Sequence, residues 1–382
     1  MSLRSLCPSF LYPLLQKGRA LPDLIRFARY KKRYTPNPKG IVMISPSRRE
    51  LSGNFAFIAK ALQDSEFTLT LLCEGDGKSR DQQLKILAQN GIILLDDHTP
   101  WIYPLTFANT TKVVQVWHST GAFKRMGFAR MGRRGSTKPH SLTHRNYTHV
   151  IVSAKSVVPA FCEAFGLTED KIYPIGVPRT DLFFDAETIK QMTEAFYQEY
   201  PRLQGKKLVL FAPTFRGDTR GDAHYPKEWF DPAAFLDALP EDYVLGLKLH
   251  PFIEEKMPIP AGYEHRIIDF SHWREINPLL FVTHTLITDY SSVIFEYALL
   301  NKPIVFYLPD LAQYDRDRSF FYDFETYVYG ARCHEKSELP AAVLNPQEGL
   351  QNRDLFMERF LGSCDGASTR RFVDGILRGK PL

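Results

Sequence analysis

The chain repeats one pairing along most of its length: a short apolar run without alternation, then a segment with helical spacing. The runs are Ile41–Ser45, Thr68–Cys73, Ile92–Leu95, Val113–Trp117, Val150–Ser153, Lys207–Phe211, Tyr243–Leu249, Leu286–Thr288 and Ile304–Tyr307. Helical spacing follows at 54–63, 80–89, 155–165, 185–199, 231–239, 292–301 and 367–378. Strands that do not alternate are buried on both faces, and strand–helix repetition builds parallel sheets covered by helices. The 382 residues exceed one ordinary domain. A long predicted helix ends in "PRLQGKK", and a fresh strand–helix series begins at Leu208. The expected organisation is a basic amphipathic segment at 1–40 and two α/β domains at 41–203 and 204–382, with the last helix able to pack back on the first domain.

Open parallel sheets bind ligands beyond the carboxyl ends of their strands. Polar groups gather at those ends here. "VVQV" runs into Trp117, His118, Ser119, Thr120 and Gly121, and "LVLF" into "APTFR" with Thr214 and Arg216. "LKL" runs into His250 and Pro251, and "LIT" into Asp289, Tyr290, Ser291 and Ser292. "GVPRTD" adds Arg179 and Asp181. Each residue has a functional and a structural reading. Ser291 or Ser292 can cap the next helix or help its N-terminus hold an anion. Glu296, one turn on, can accept from a ligand hydroxyl or lie at the surface. His250 can donate to a phosphate, protonate a leaving group or be structural. Arg216 carries a guanidinium suited to bidentate phosphate contact. No phosphate-binding GxxxxGK[ST] loop, HExxH or GxSxG occurs, and "DRD" at 315–317 follows no strand.

Charge narrows the partners. Residues 1–40 carry nine Lys/Arg against Asp23 alone, interleaved with leucines and aromatics, while the whole chain has a net charge of +5. That pattern suits an anionic bilayer surface. Between Asp97 and Glu163 there is no acidic residue, but Lys124, Arg125, Arg133 and Arg134 are present; an anionic acceptor or headgroup is expected there. Nucleic acid is disfavoured, since no recognition motif accompanies the charge. Five scattered cysteines, with no paired ligand spacing, suit reduced thiols in the cytoplasm. No run of 18 apolar residues occurs.

"QVWHSTG", "GVPRTDLFF", "VLFAPTFR", "LKLHP", "ITDYSSVIFEYALLNKPIVFY" and "LAQYDRDRSFFYDFE", in this order, resemble the CDP-glycerol glycerophosphotransferase family of wall teichoic acid synthesis. The resemblance implies a GT-B-like fold, two Rossmann-type domains whose parallel sheets face each other across a cleft. It implies CDP-glycerol as donor, an undecaprenyl-diphosphate-linked disaccharide as acceptor, and CMP as product. His118 would then be the base on the acceptor side. His250 would contact the diphosphate or assist the leaving phosphate. Thr214, Arg216, Ser291 and Ser292 would cradle phosphate, with Asp289, Glu296 and Arg179 beside the donor. Lys124, Arg125, Arg133 and Arg134 would face the lipid diphosphate. No cofactor is indicated, and a divalent ion is left open. The expected place is the inner face of the cell membrane, peripherally bound.

Priming, the first glycerol phosphate on the lipid-linked disaccharide, is the expected step, since this length leaves little room for an added chain-binding region. The alternatives within the family are a polymerase and a ribitol-phosphate enzyme. A CMP-sugar glycosyltransferase is disfavoured because the acid-free stretch supplies no carboxylate near His118. A non-enzymatic lipid-surface protein leaves the polar strand ends unexplained.

Overall fold

The computed structural model describes residues 9–131, 136–217, 220–345, 347 and 349–382. They form two compact units, one reaching to Asp181 and including Arg359–Leu382, the other Leu182–Glu358.

The first unit holds a six-stranded parallel sheet of β1 (Asn37–Ser45), β2 (Thr68–Cys73), β3 (Asn90–Leu95), β4 (Lys112–Gln115), β5 (His149–Ile151) and β6 (Ile172–Tyr173), in the order β2-β1-β3-β4-β5-β6. Ile41 to Ile44 are all buried; since alternate residues face opposite ways, both faces of the sheet are covered. The chain's last segment belongs here. Asp181 accepts from Ser368 N (2.9 Å) and Thr369 N (2.7 Å), capping the helix that begins there. Phe372, Val373, Ile376 and Leu377 then join the core around Ile41 and Met43. Gly176 (φ +89°) lies against this segment; a Cβ there would meet Ser363 O at 2.3 Å.

Helices α1 (Tyr12–Arg19) and α2 (Leu21–Arg33) precede the sheet. Phe27 is buried and meets Phe107 edge-on, and Tyr30 donates to Asp81 at 2.7 Å, so α2 is part of the unit. Leu14, Leu15, Leu21 and Ile25 remain exposed among exposed Lys17, Arg19, Arg26 and Arg29.

The second unit holds β7 (Lys207–Phe211), β8 (Tyr243–Leu247), β9 (Ile267–Asp269), β10 (Thr283–Thr288), β11 (Ile304–Tyr307) and β12 (Ala331–Cys333), all parallel, in the order β12-β11-β10-β7-β8-β9. This is the doubly wound order of mononucleotide-binding sheets, with its switch point between β7 and β10; in the first sheet the switch lies between β1 and β3. The helix Ala186–Glu199 belongs to this second unit, although the sequence suggested a boundary near 203. Phe196 packs on Phe270 and Trp273, which ties the helix to the second core.

Candidate active site

In the first unit the switch point and the neighbouring end of β4 collect the polar groups. β4 ends at Gln115, two residues short of the expected strand, because Trp117 takes φ +54° and turns the chain off the sheet. His118 follows with 43% of its side chain exposed, its ring against that of Trp117. Its Nδ1 lies 3.4 Å from Asp97 Oδ1. With Asp97 as acceptor the ring proton sits on Nδ1, which leaves Nε2 to take one. Crowding by protein lowers the His118 pKa, helped by Arg179 and Arg48 and opposed by Asp97. The ring is only partly enclosed, which keeps the burial contribution modest. Asp96 is buried, and burial raises its carboxyl to about 6 despite a 2.7 Å bond from Ser45.

Arg179 stands beside His118 in the first unit, donating to the His118 carbonyl and to Thr120 Oγ1 (3.4 Å). It lies beside the presumed base; the sequence grouped it with the donor residues. Gly121 (φ +70°) closes the turn, its N–H on Ser153 Oγ at 3.1 Å. Arg125 pairs with Glu163 at 2.7 Å, which offsets its charge, and Lys124 is half-buried. Arg133 and Arg134 lie outside the described residues.

The second unit brings Thr214, Arg216, Asp289, Ser291 and Ser292 to the ends of β7 and β10, at the switch point. Two of them are held in ion pairs. Arg216 is half-buried and held by carboxylates. Its Nε and Nη2 donate to both oxygens of Asp310 (2.7 and 2.8 Å), and its Nη1 donates to the Thr214 carbonyl (2.6 Å) and lies 3.0 Å from Asp289. Burial opposes its charge, but Asp289 and Asp310 outweigh that and hold its pKa above the ordinary value. Trp229, Tyr290 and Tyr314 pack around the guanidinium. Asp289 is likewise engaged, accepting from Thr214 N and Tyr290 N at 2.7 and 2.6 Å. Its charge balances Arg216.

Thr214 Oγ1 is buried without a hydrogen-bond partner. Ser292 sits at the N-cap of the helix Val293–Ala298 and its hydroxyl makes no cap bond. Ser291 Oγ accepts from Val293 N at 3.4 Å. Glu296 is 4% exposed, which rules out the surface reading. His250, half-buried at the end of β8, accepts from Phe252 N through Nδ1 (3.2 Å). A neutral ring then carries its proton on Nε2 as a donor. Phe215 and Phe252 flank it.

Asp97 was missed in the sequence. "LLDDH" ends β3, and the strand-end rule applied there would have found it. It also supplies the carboxylate near His118 that the acid-free stretch was taken to lack, since β3 and β4 are hydrogen-bonded neighbours. Among the described residues no His/Cys/Asp/Glu group could hold a metal ion.

The CDP-glycerol:poly(glycerophosphate) glycerophosphotransferase family matches residues 26–378. The chain belongs to this family. The curated relatives it matches are named as teichoic acid primases and polymerases, and it spans little more than half of the length of the first of them. It is 39% identical to the teichoic acid poly(ribitol-phosphate) polymerase of Bacillus spizizenii over 88% of this chain, and spans 56% of that protein's length. It is 34% identical to the teichoic acid ribitol-phosphate primase of the same organism, over 88% of this chain and 90% of the relative. With the teichoic acid glycerol-phosphate primase of Bacillus subtilis the identity is 29%, over 76% and 74%. The fold is that of the wall teichoic acid polymerase TagF, at a TM-score of 0.75 and 20% identity over 96% of this chain and 97% of that one. The S. aureus MnaA–UDP structure shares it more distantly, at a TM-score of 0.56 and 15% identity over 88% and 96%.

Proposed function

We propose that this protein moves a polyol phosphate from a CDP-polyol to a hydroxyl of a polyprenyl-diphosphate-linked acceptor, releasing CMP. The observation that carries the reading is the placement of two strand-end histidines, with His118 Nδ1 3.4 Å from Asp97 and His250 Nδ1 accepting from Phe252 N, so that one ring can keep Nε2 as a lone pair and the other as an N–H. His118 offers a lone pair at Nε2, as a base requires. His250 offers an N–H, as a developing phosphate charge requires. The acceptor oxygen bonds to the β-phosphorus while the bond to the CMP oxygen breaks; His118 takes the hydroxyl proton. Thr214 Oγ1 and the Ser292 hydroxyl hold the diphosphate, and buried Glu296 accepts from a donor hydroxyl. Positioning and electrostatics supply most of the rate in such a transfer.

The polyol in this reading is ribitol. The four relatives at 34–39% identity are named as ribitol-phosphate enzymes, and the glycerol-phosphate enzymes lie at 29% or below. Glycerol-phosphate priming, expected from the sequence, is the second reading. The test incubates the protein with CDP-ribitol or CDP-glycerol and a lipid-linked disaccharide analogue, then weighs the products over time. Faster CMP release from CDP-ribitol supports the first reading. The more similar relatives include three polymerases, so a ladder of phosphodiester units is expected; a single added unit would restore priming.

The acceptor is a lipid, and α1 and α2 present the surface that would meet its membrane. No helix among the described residues is long and apolar enough to cross a bilayer. Exposed Leu14 and Leu21 beside exposed lysines and arginines suit the interface plane instead. Leu14→Glu with Leu21→Glu should cut sedimentation with anionic liposomes while activity on a short-chain soluble acceptor stays. Truncating the segment is a poorer test, because Phe27 is core. Unchanged sedimentation in the double variant would remove this surface from the proposal.

A further inference from the structure

Trp117 is a bulky residue in the left-handed region, where side chains larger than glycine are strained. No strand ladder holds it there, because the regular ladder between β4 and β3 ends with Val116 N on Leu95 O (2.8 Å). Two buried side-chain amides take over. Gln115, fully buried, accepts from Trp117 N through Oε1 at 2.8 Å. Asn54, 4% exposed at the start of α3 (Asn54–Ala61), donates through Nδ2 to the carbonyls of Val116 (3.0 Å) and Trp117 (2.9 Å).

Asn54 does more than satisfy a turn. Its Oδ1 accepts from Arg179 N at 3.0 Å, and the Arg179 side chain returns to the His118 carbonyl and Thr120. The bonds close a ring: Asn54 to Trp117, along the chain to His118, across to Arg179, and back to Asn54. Gln115 is braced in turn. Its Nε2 donates to Tyr147 Oη (2.9 Å) and lies 3.3 Å from the carbonyl of Asp97, the residue whose carboxylate meets the His118 ring. His118 itself is half-exposed, so packing alone does not fix its direction.

We infer that Asn54 and Gln115 are positioning residues for transfer: their amides hold Trp117 in its left-handed turn and so aim His118. This rests on the reading of His118 as the base. Neither side chain reaches the reacting atoms. Their effect runs through the backbone of residues 116–118, where a shift of about 1 Å costs on the order of 10²-fold in rate.

The test compares Asn54→Ala, Gln115→Leu and Gln115→Glu, each alone and combined with His118→Ala. The rates of transfer from the CDP-polyol are measured, with CMP calorimetry and melting curves alongside. Asn54→Ala and Gln115→Leu should lower kcat by at least about tenfold. The KM for the CDP-polyol should stay within about twofold, since an interaction made only in the transition state is removed. Gln115→Glu should recover part of the rate lost in Gln115→Leu, because its carboxylate still accepts from Trp117 N while giving up the donor to the Asp97 carbonyl. With His118 already replaced, neither loss should slow the residual reaction further, because there is no base left to misplace.

Near-wild-type kcat in Asn54→Ala and Gln115→Leu, with His118→Ala slow, would overturn the positioning role. So would the same fold-loss with or without His118, which marks a general structural effect. A normal rate in His118→Ala overturns the base assignment and this inference with it, so the two failures are told apart. Should Asn54→Ala not fold, the Gln115→Leu and Gln115→Glu pair decides.

Discussion

His118→Ala is expected to slow transfer by about 10²–10⁴-fold, the usual contribution of a positioned general base, with the melting curve unchanged. The fold should survive because the ring is half-exposed and its removal opens no core cavity. The pH profile carries the same assignment. Only the neutral ring can accept a proton, so kcat/KM falls as pH drops through the folded-state pKa of His118. That pKa is lowered by crowding and by Arg179 and Arg48, which puts the acid limb below the ordinary imidazole value of about 6.5. Asp97 works against the shift, so Asp97→Asn should move the limb further towards acid. A wild-type rate in His118→Ala, or an acid limb that ignores Asp97→Asn, would mean another group takes the proton.

The second large effect is on stability. Arg216→Ala is expected to destabilise the second unit by about 3–5 kcal/mol, the range for breaking a buried ion pair from one side. The substitution leaves buried Asp289 and half-buried Asp310 without their shared cation and empties the space between Trp229, Tyr290 and Tyr314. It also frees the Thr214 carbonyl, loosening the loop that carries Thr214 Oγ1. Urea unfolding of the variant measures the loss directly. An unchanged midpoint together with lost CMP affinity would make Arg216 a phosphate ligand rather than a cation held for stability.

The unalternating apolar runs determined two covered parallel sheets, because a strand buried on both faces has no polar side to show. Nine of the twelve strands can be read this way. β6, β9 and β12 cannot, since two or three residues at or near a sheet edge carry no period. The strand-end rule also put His118, His250, Thr214 and the serines at the carboxyl edges of the sheets, where open parallel sheets bind ligands. What those residues do there was decided by tertiary structure. "PTFR" reads as a phosphate-binding guanidinium, and only the fold brings up Asp310, 94 positions on, to take both of its parallel donors. The stretch around His118 lacks acids in sequence, yet β3 lies beside β4 and brings Asp97 to the ring. Asn54 reads as the polar start of a helix, and only the fold joins it to Trp117 and Arg179, 63 and 125 residues away. Hydrophobic pattern is local and survives in one dimension. Charge pairing and hydrogen-bond satisfaction are set by whichever groups the folded chain buries together.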